Sequence, residues 1–239
     1  MSTTTSAPTH RRPCRVGVGR AEVLLHRVLS DAESASATRA LLDPSPSLRE
    51  QCWHVGPGGL VTIGAPLYCN RHRFQLYTER ARATNGLMYE TYRWLYDRVA
   101  DLFEGRYACP VSFVEELAIP GFHLIAYGRA GRFEGGGWHF DQLAQQVPYF
   151  AKRATETEGI LNFTLPLAVP SGGTGMDIVD ETAGNPTEVR LPYRPGVILF
   201  NECELRHRIA ASICREDGEC RLTLQGHGVR IHGRLLLFW

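Results

Sequence analysis

Cys220-Arg221-Leu222-Thr223-Leu224-Gln225-Gly226-His227 alternates polar and apolar residues almost without a break. In an extended chain successive side chains point to opposite faces, so Arg221, Thr223, Gln225 and His227 share one face and Leu222 and Leu224 the other. On a surface strand that polar row would meet water, with Arg221 paired to Glu219 or Asp217 and worth little. On a strand inside a jelly roll it would line an internal site, where a guanidinium beside a hydroxyl makes a clamp for a carboxylate. The neighbouring sequence favours the second setting. After Pro110 short apolar runs recur between Gly, Pro and Asp clusters, at residues 111–117, 122–127, 159–167, 188–191, 196–200, 208–213, 220–226 and 235–239. Strands at such spacing predict a mainly β fold, a sandwich or jelly roll.

The preceding half has a different texture. Residues 20–42 read as helical through Val23, Leu24, Val28 and Leu29, and residues 46–51 as a short helix capped by Ser45 with Pro46 at its first position. Across residues 71–104 Met88, Tyr92, Leu95, Val99 and Leu102 recur at helical spacing and mark a buried stripe, with Asn85-Gly86 as an expected break. These helices are expected to buttress one sheet. The chain of 239 residues reads as one domain over 14–239, with mainly helical support at 14–110 and the jelly-roll core at 111–239. Residues 1–13, rich in Ser and Thr, read as a disordered leader.

Composition narrows the class of function. A net charge of +1 gives no global field toward nucleic acid or an anionic membrane. No apolar run reaches spanning length. The seven cysteines show no CxxC and no zinc spacing with histidine, which fits a reducing, cytoplasmic setting.

The chemistry-bearing segment is Gly135-Gly136-Gly137-Trp138-His139-Phe140-Asp141. If it is extended, His139 and Asp141 point the same way and Phe140 toward the opposite layer. An imidazole and a carboxylate so placed can grip one cation, and His207, between two expected strands, can supply a second imidazole. Two histidines and a carboxylate occupy one face of an octahedron and leave positions open for ligands, the pattern of non-haem iron(II) sites. The plain alternatives are a polar surface strand for His139 and Asp141 and a solvated turn for His207. His227 and His232 are rival distal ligands, but neither leaves an Arg-x-Thr downstream. Asn162 is either a site residue or a polar strand end. His123, Trp138 and Trp239 are either site residues or core.

His139-x-Asp141, distant His207 and Arg221-x-Thr223, in that order, resemble the signature of the Fe(II)/2-oxoglutarate-dependent oxygenase superfamily. The resemblance covers residues 111–239 and implies a double-stranded β-helix, iron(II) on His139, Asp141 and His207, and 2-oxoglutarate on Arg221 and Thr223. Pro120-Gly121-Phe122-His123, Trp138-His139-Phe140-Asp141, Thr223-Leu224-Gln225-Gly226-His227 and Trp239 are also similar to a group of small bacterial enzymes that hydroxylate or chlorinate free amino acids. That likeness implies substrate contacts from Gln225, His227 and Trp239, with Trp138 and His123 as further candidates. In the halogenases of that group a glycine stands where this chain has Asp141, so the likeness implies hydroxylation of a small polar molecule. Hydroxylation of a protein side chain, or a cupin-like metal-binding module without turnover, are the alternatives.

Overall fold

In the computed structural model the described residues are 14–18, 21–56, 59–69, 73–141, 147–153, 156–180 and 186–239; the expected leader lies outside them. Strands β1 (Cys14–Val18) and β2 (Ala21–Arg27) come first, then helices α1 (Asp31–Leu42) and α2 (Pro46–Cys52), strands β3 (Trp53–Val55) and β4 (Leu60–Ile63), and the 34-residue helix α3 (Phe74–Tyr107). Strands β5 (Val111–Phe113), β6 (Gly121–Ala126) and β7 (Gly131–Phe133) lead to the short helix α4 (Pro148–Ala151). The rest is β8 (Thr157–Ala168), β9 (Gly175–Asp180), β10 (Thr187–Pro192), β11 (Val197–Asn201), β12 (His207–Ile209), β13 (Ser212–Cys214), β14 (Cys220–Ile231) and β15 (Arg234–Phe238).

The large sheet runs β1-β2-β11-β8-β14-β6-β4-β3, with β15 on β14 and β5 on β15. A smaller layer holds β10-β9-β12 and the pair β13-β7, and a bridge between His139 and His207 continues it beyond β7. From β6 onward the chain alternates between the layers: β6 large, β7 small, β8 large, β9 and β10 small, β11 large, β12 and β13 small, β14 large. That winding is a double-stranded β-helix, the fold that the family resemblance implies.

The alternation of β14 is what holds three layers together. Leu222 and Leu224 turn outward into the main core with Phe122, Leu124, Leu161 and Leu165, where Leu95, Tyr96, Val99 and Phe103 of α3 and Leu41 of α1 meet them. Each such fully buried side chain stabilises the fold by about 1.5–3 kcal/mol over its exposed state. The other face of β14 turns toward the smaller sheet. Beside it Val23, Leu199, Ile178 and Leu191 close the gap between the sheets with apolar contacts.

Local signals explain the helix ends. Ser30 accepts from Glu33 N–H while the Glu33 carboxylate accepts from Ser30 N–H, a reciprocal cap that fixes the start of α1. Ser45 caps α2 through Leu48 N–H, as its sequence predicts.

Three expectations are corrected. Residues 21–27 are strand, not helix, because β2 pairs with β1 over residues 21–25 and with β11 over residues 24–27, and those ladders outweigh a helical apolar spacing. Residues 14–110 are therefore not simply helical support: β1 to β4 lie in the large sheet. Helix α3 runs through Asn85-Gly86, because the Asn85 amide donates to Leu117 O at 2.9 Å and accepts from Ile119 N–H at 3.0 Å, leaving it no call on the helix backbone. The non-helical residue is instead Tyr92 (φ −118°, ψ 24°). No helix among the described residues is long and apolar enough to cross a membrane.

Candidate metal centre and its cavity

His139, Asp141 and His207 come together on the smaller sheet, each offering a ligand atom within 4.8 Å of the others'. The backbones of the two histidines exchange hydrogen bonds, His139 N–H to His207 O at 2.9 Å and His207 N–H to His139 O at 3.0 Å. Each imidazole also has its Nδ1 against a carbonyl two residues earlier, Gly137 O at 2.9 Å and Leu205 O at 2.8 Å. A carbonyl only accepts, so Nδ1 carries the hydrogen in both rings and each Nε2 lone pair is free for a cation. Both Nε2 atoms face the Asp141 carboxylate, at 3.8 Å for His139 and 3.6 Å for His207. Burial works to raise the Asp141 pKa, but attraction to the surrounding histidines in their protonated form, His227 first and then His207, His139 and His123, outweighs it and holds the carboxyl below its ordinary value. Two neutral imidazoles and one carboxylate fit a divalent iron centre with open positions.

The expected strand geometry of this segment is corrected. Only the single bridge at His139 is sheet-like; the chain otherwise approaches β12 irregularly. Gly135, at φ +97°, brings it in so closely that a Cβ there would stand 2.7 Å from Ile209 O, which glycine alone permits. Phe140 does not enter a packed layer: it is 44% exposed and lines the cavity mouth.

A cavity of about 400 Å³ lies between the sheets, with His139, Asp141 and His207 on one wall. His123, Gln225, His227 and Trp239 of the sequence reading line it, together with Asn162. His227 pairs across β14 and β8 with Asn162, Nδ1 to Oδ1 at 2.7 Å. The Gln225 amide donates to Thr223 Oγ1 at 3.3 Å. His123 Nε2 meets the Tyr68 hydroxyl at 2.6 Å; burial, then the Arg221 charge, push its pKa down to about 3, so the ring is neutral. Trp239 sits over Gly121, where a Cβ would meet the indole at 2.1 Å.

Arg221 and Thr223 are fully buried on this face of β14, just outside the residues that line the cavity. All three guanidinium nitrogens of Arg221 lack a hydrogen-bond partner, and its Cζ lies 5.3 Å over the ring of Tyr193, itself a lining residue. A fully buried, unpartnered guanidinium is costly unless an anion completes it.

No family model matches this chain, and no curated protein matches it. Among solved structures it matches the non-heme alpha ketoglutarate dependent carbocyclase SnoK from nogalamycin biosynthesis, at 12% identity over 87% of this chain and 81% of that one, with a TM-score of 0.48. It also matches an N-substituted L-amino acid dioxygenase in complex with alpha-KG from Burkholderia ambifaria AMMD, at 12% identity, 91% and 86% coverage and a TM-score of 0.48. A third match is EctD from S. alaskensis, at 17% identity, 87% and 73% coverage and a TM-score of 0.46.

Trp138 departs from its expected role. It lies outside the cavity, with the Arg208 guanidinium 4.6 Å and the Arg206 guanidinium 5.9 Å from its ring centre. It ends a row across the outer face of the smaller sheet: Arg190 pairs with Asp177, Asp177 with Arg208, and Arg208 stacks on Trp138. Asp177, with no exposed surface, accepts from Arg190 Nε at 2.7 Å and Arg208 Nε at 3.1 Å. One residue along, on the inner face, stand His207 and His139. Sequence reading missed Tyr68, which sits in a Gly- and Pro-rich stretch with no periodicity to flag it, and Tyr193, whose significance is its position under Arg221.

Proposed function

We propose that this chain is an Fe(II)/2-oxoglutarate-dependent oxygenase that hydroxylates an unactivated C–H bond of a small polar molecule, such as a free amino acid. The observation that carries the reading is the convergence of His139, Asp141 and His207 with both Nε2 atoms free. His139, Asp141 and His207 would hold the iron. Arg221, assisted by Thr223, would receive the distal carboxylate of 2-oxoglutarate, which supplies the anion that the buried guanidinium lacks. Iron(II) and 2-oxoglutarate, when bound, supply with O2 an oxidant able to take hydrogen from such a C–H bond, with succinate and CO2 released.

The protein's own work is placement. The Gly137 and Leu205 carbonyls fix the imidazole tautomers. His123, Gln225, His227 and Trp239 shape the wall against which substrate lies, and a substrate seated there would displace water from the reacting centre. A cavity of about 400 Å³ suits a small molecule.

The test is anaerobic purification, loading with iron(II) and 2-oxoglutarate, and exposure to air with an amino-acid panel while succinate and product mass are followed. Succinate stimulated by one panel member, and abolished by His139→Ala or Asp141→Ala, is the expected result. A metallated protein that yields no succinate with amino acids or peptides is a binding module without turnover, and the proposal fails.

A further inference from the structure

We infer that His227 presents a hydrogen-bond acceptor to the cavity and so selects ligands that bring a hydroxyl or amine hydrogen to that wall. The inference rests on reading the cavity as a substrate site and goes beyond it, because it assigns the polarity of the group recognised there.

The polarity follows from three linked hydrogen bonds. Cys203 O has no hydrogen to give, so the Asn162 atom 3.2 Å from it is the amide nitrogen. That sets Asn162 Oδ1 toward His227 Nδ1, at 2.7 Å. An amide oxygen only accepts, so the hydrogen of a neutral His227 is on Nδ1, and Nε2 keeps its lone pair. Burial lowers the pKa of this ring, against the opposing pull of the Asp141 carboxylate. The ring is held in place as well as polarised: Asn162 is its cross-strand partner on one side, and Phe238 of β15 lies 5.7 Å away on the other. His227 is only partly buried and lines the cavity, so the edge not used by Asn162 is the one a ligand meets.

Gln225 stands one pleat away, roughly 7 Å along the strand. Its amide nitrogen donates one hydrogen to Thr223 Oγ1, which leaves Oε1 as a second acceptor on the same face beside the remaining N–H. A ligand carboxylate or carbonyl set against the free edge of His227 would put lone pair against lone pair. A hydroxyl or an ammonium would complete both residues.

The first experiment reads the tautomer directly. Full-length protein labelled with [15N]histidine is examined by ring 15N–1H correlation at pH 7.5, with the His227 signals assigned through His227→Gln. The expected ring form is Nδ1–H in the wild type, relaxing toward Nε2–H in Asn162→Leu. An Nε2–H ring or an imidazolium in the wild type overturns the inference. This measurement needs neither turnover nor a bound metal. An Nδ1–H ring in a protein that makes no succinate would refute the oxygenase reading alone, and succinate formation with an Nε2–H ring would refute this inference alone.

The second experiment compares matched ligands on protein loaded with Zn(II) and 2-oxoglutarate: free amino acids against their N-trimethyl betaines, and hydroxy acids against their O-methyl ethers. In the pair that supplies the recognised group, the parent is expected to bind at least tenfold more tightly than its methylated partner. That preference should vanish in His227→Phe and survive in His227→Gln, which keeps an acceptor. Which pair shows it identifies the donor as ammonium or hydroxyl. Methylated partners that bind as well as their parents in both series overturn the inference.

Discussion

Arg221→Met separates the expense of the buried guanidinium from its use. Arg221 has no exposed surface and no hydrogen-bond partner on any of its three nitrogens. A buried donor without an acceptor costs about 1–3 kcal/mol, more when charged. Stacking on Tyr193, at 5.3 Å, offsets that by about 1–2 kcal/mol. Methionine is flexible, fills comparable space and carries no strong polar group. The variant without ligands is therefore expected to be more stable than wild type by about 1–2 kcal/mol, which at this chain length is about 2–8 °C in Tm. 2-Oxoglutarate should reverse the order. At a hundredfold excess over Kd it stabilises a binding protein by about 2.7 kcal/mol, and the variant should gain nothing. Thermal and guanidinium unfolding of the Zn(II)-loaded proteins, with and without 2-oxoglutarate, measure both effects. A ligand-free variant less stable than wild type would show that the guanidinium already has a partner. Equal gains from 2-oxoglutarate in the two proteins would refute the assignment of Arg221 to the co-substrate.

The neutral His123 should make the fold acid-sensitive: its pKa of about 3 lies below that of an unfolded histidine, so its contribution is whole above pH 6.5 and drains away as pH falls toward 3, by about 1.4 kcal/mol per pH unit. The urea midpoint of His123→Gln should accordingly fall less than that of wild type between pH 7 and pH 5, and equal falls would contradict the burial argument. Gly121→Ala drives a methyl into the Trp239 ring and against Ile63 O, and should cost about 1–3 kcal/mol in chemical denaturation; Gly86→Ala, in open space within α3, should instead stabilise by about 0.5–1 kcal/mol. Trp138→Ala removes the support under Arg208 and should weaken Co(II) binding about 10–100-fold in a competition titration; unchanged affinity would mean the backbone bridge alone positions His139.

The readable parts of this sequence were those in which local pattern and tertiary setting agree. The alternation in β14 survives folding because both of its faces are buried, one against helices and one against the smaller sheet, so a slip of one residue would put Arg221 among the leucines. Ser45-Pro46 announced α2 because capping is satisfied within one turn. The spacing in β2 misled because Val23 and Leu24 are apolar for different reasons, one facing the smaller sheet and the other the helices, and a strand buried on both sides loses its alternation. At the metal centre the residue types were legible and the backbone was not. His139 and Asp141 converge through an irregular approach set by Gly135, and the side to which Trp138 and Phe140 turn depends on that approach. Nothing in the order of residues marks Tyr68 or Tyr193, which reach the cavity only through the closure of distant strands.

The candidate iron ligands and the polar wall face each other from opposite sides of the cavity. His207 belongs to β12 of the smaller sheet and His139 bridges to it, while His123, Asn162, Gln225 and His227 project from β6, β8 and β14 of the larger. Recognition can thus drift under selection through His123, Asn162, Gln225 and His227, provided that Arg221 and Thr223, on the same β14, stay untouched. A library confined to those four positions is the economical place to look for new substrates.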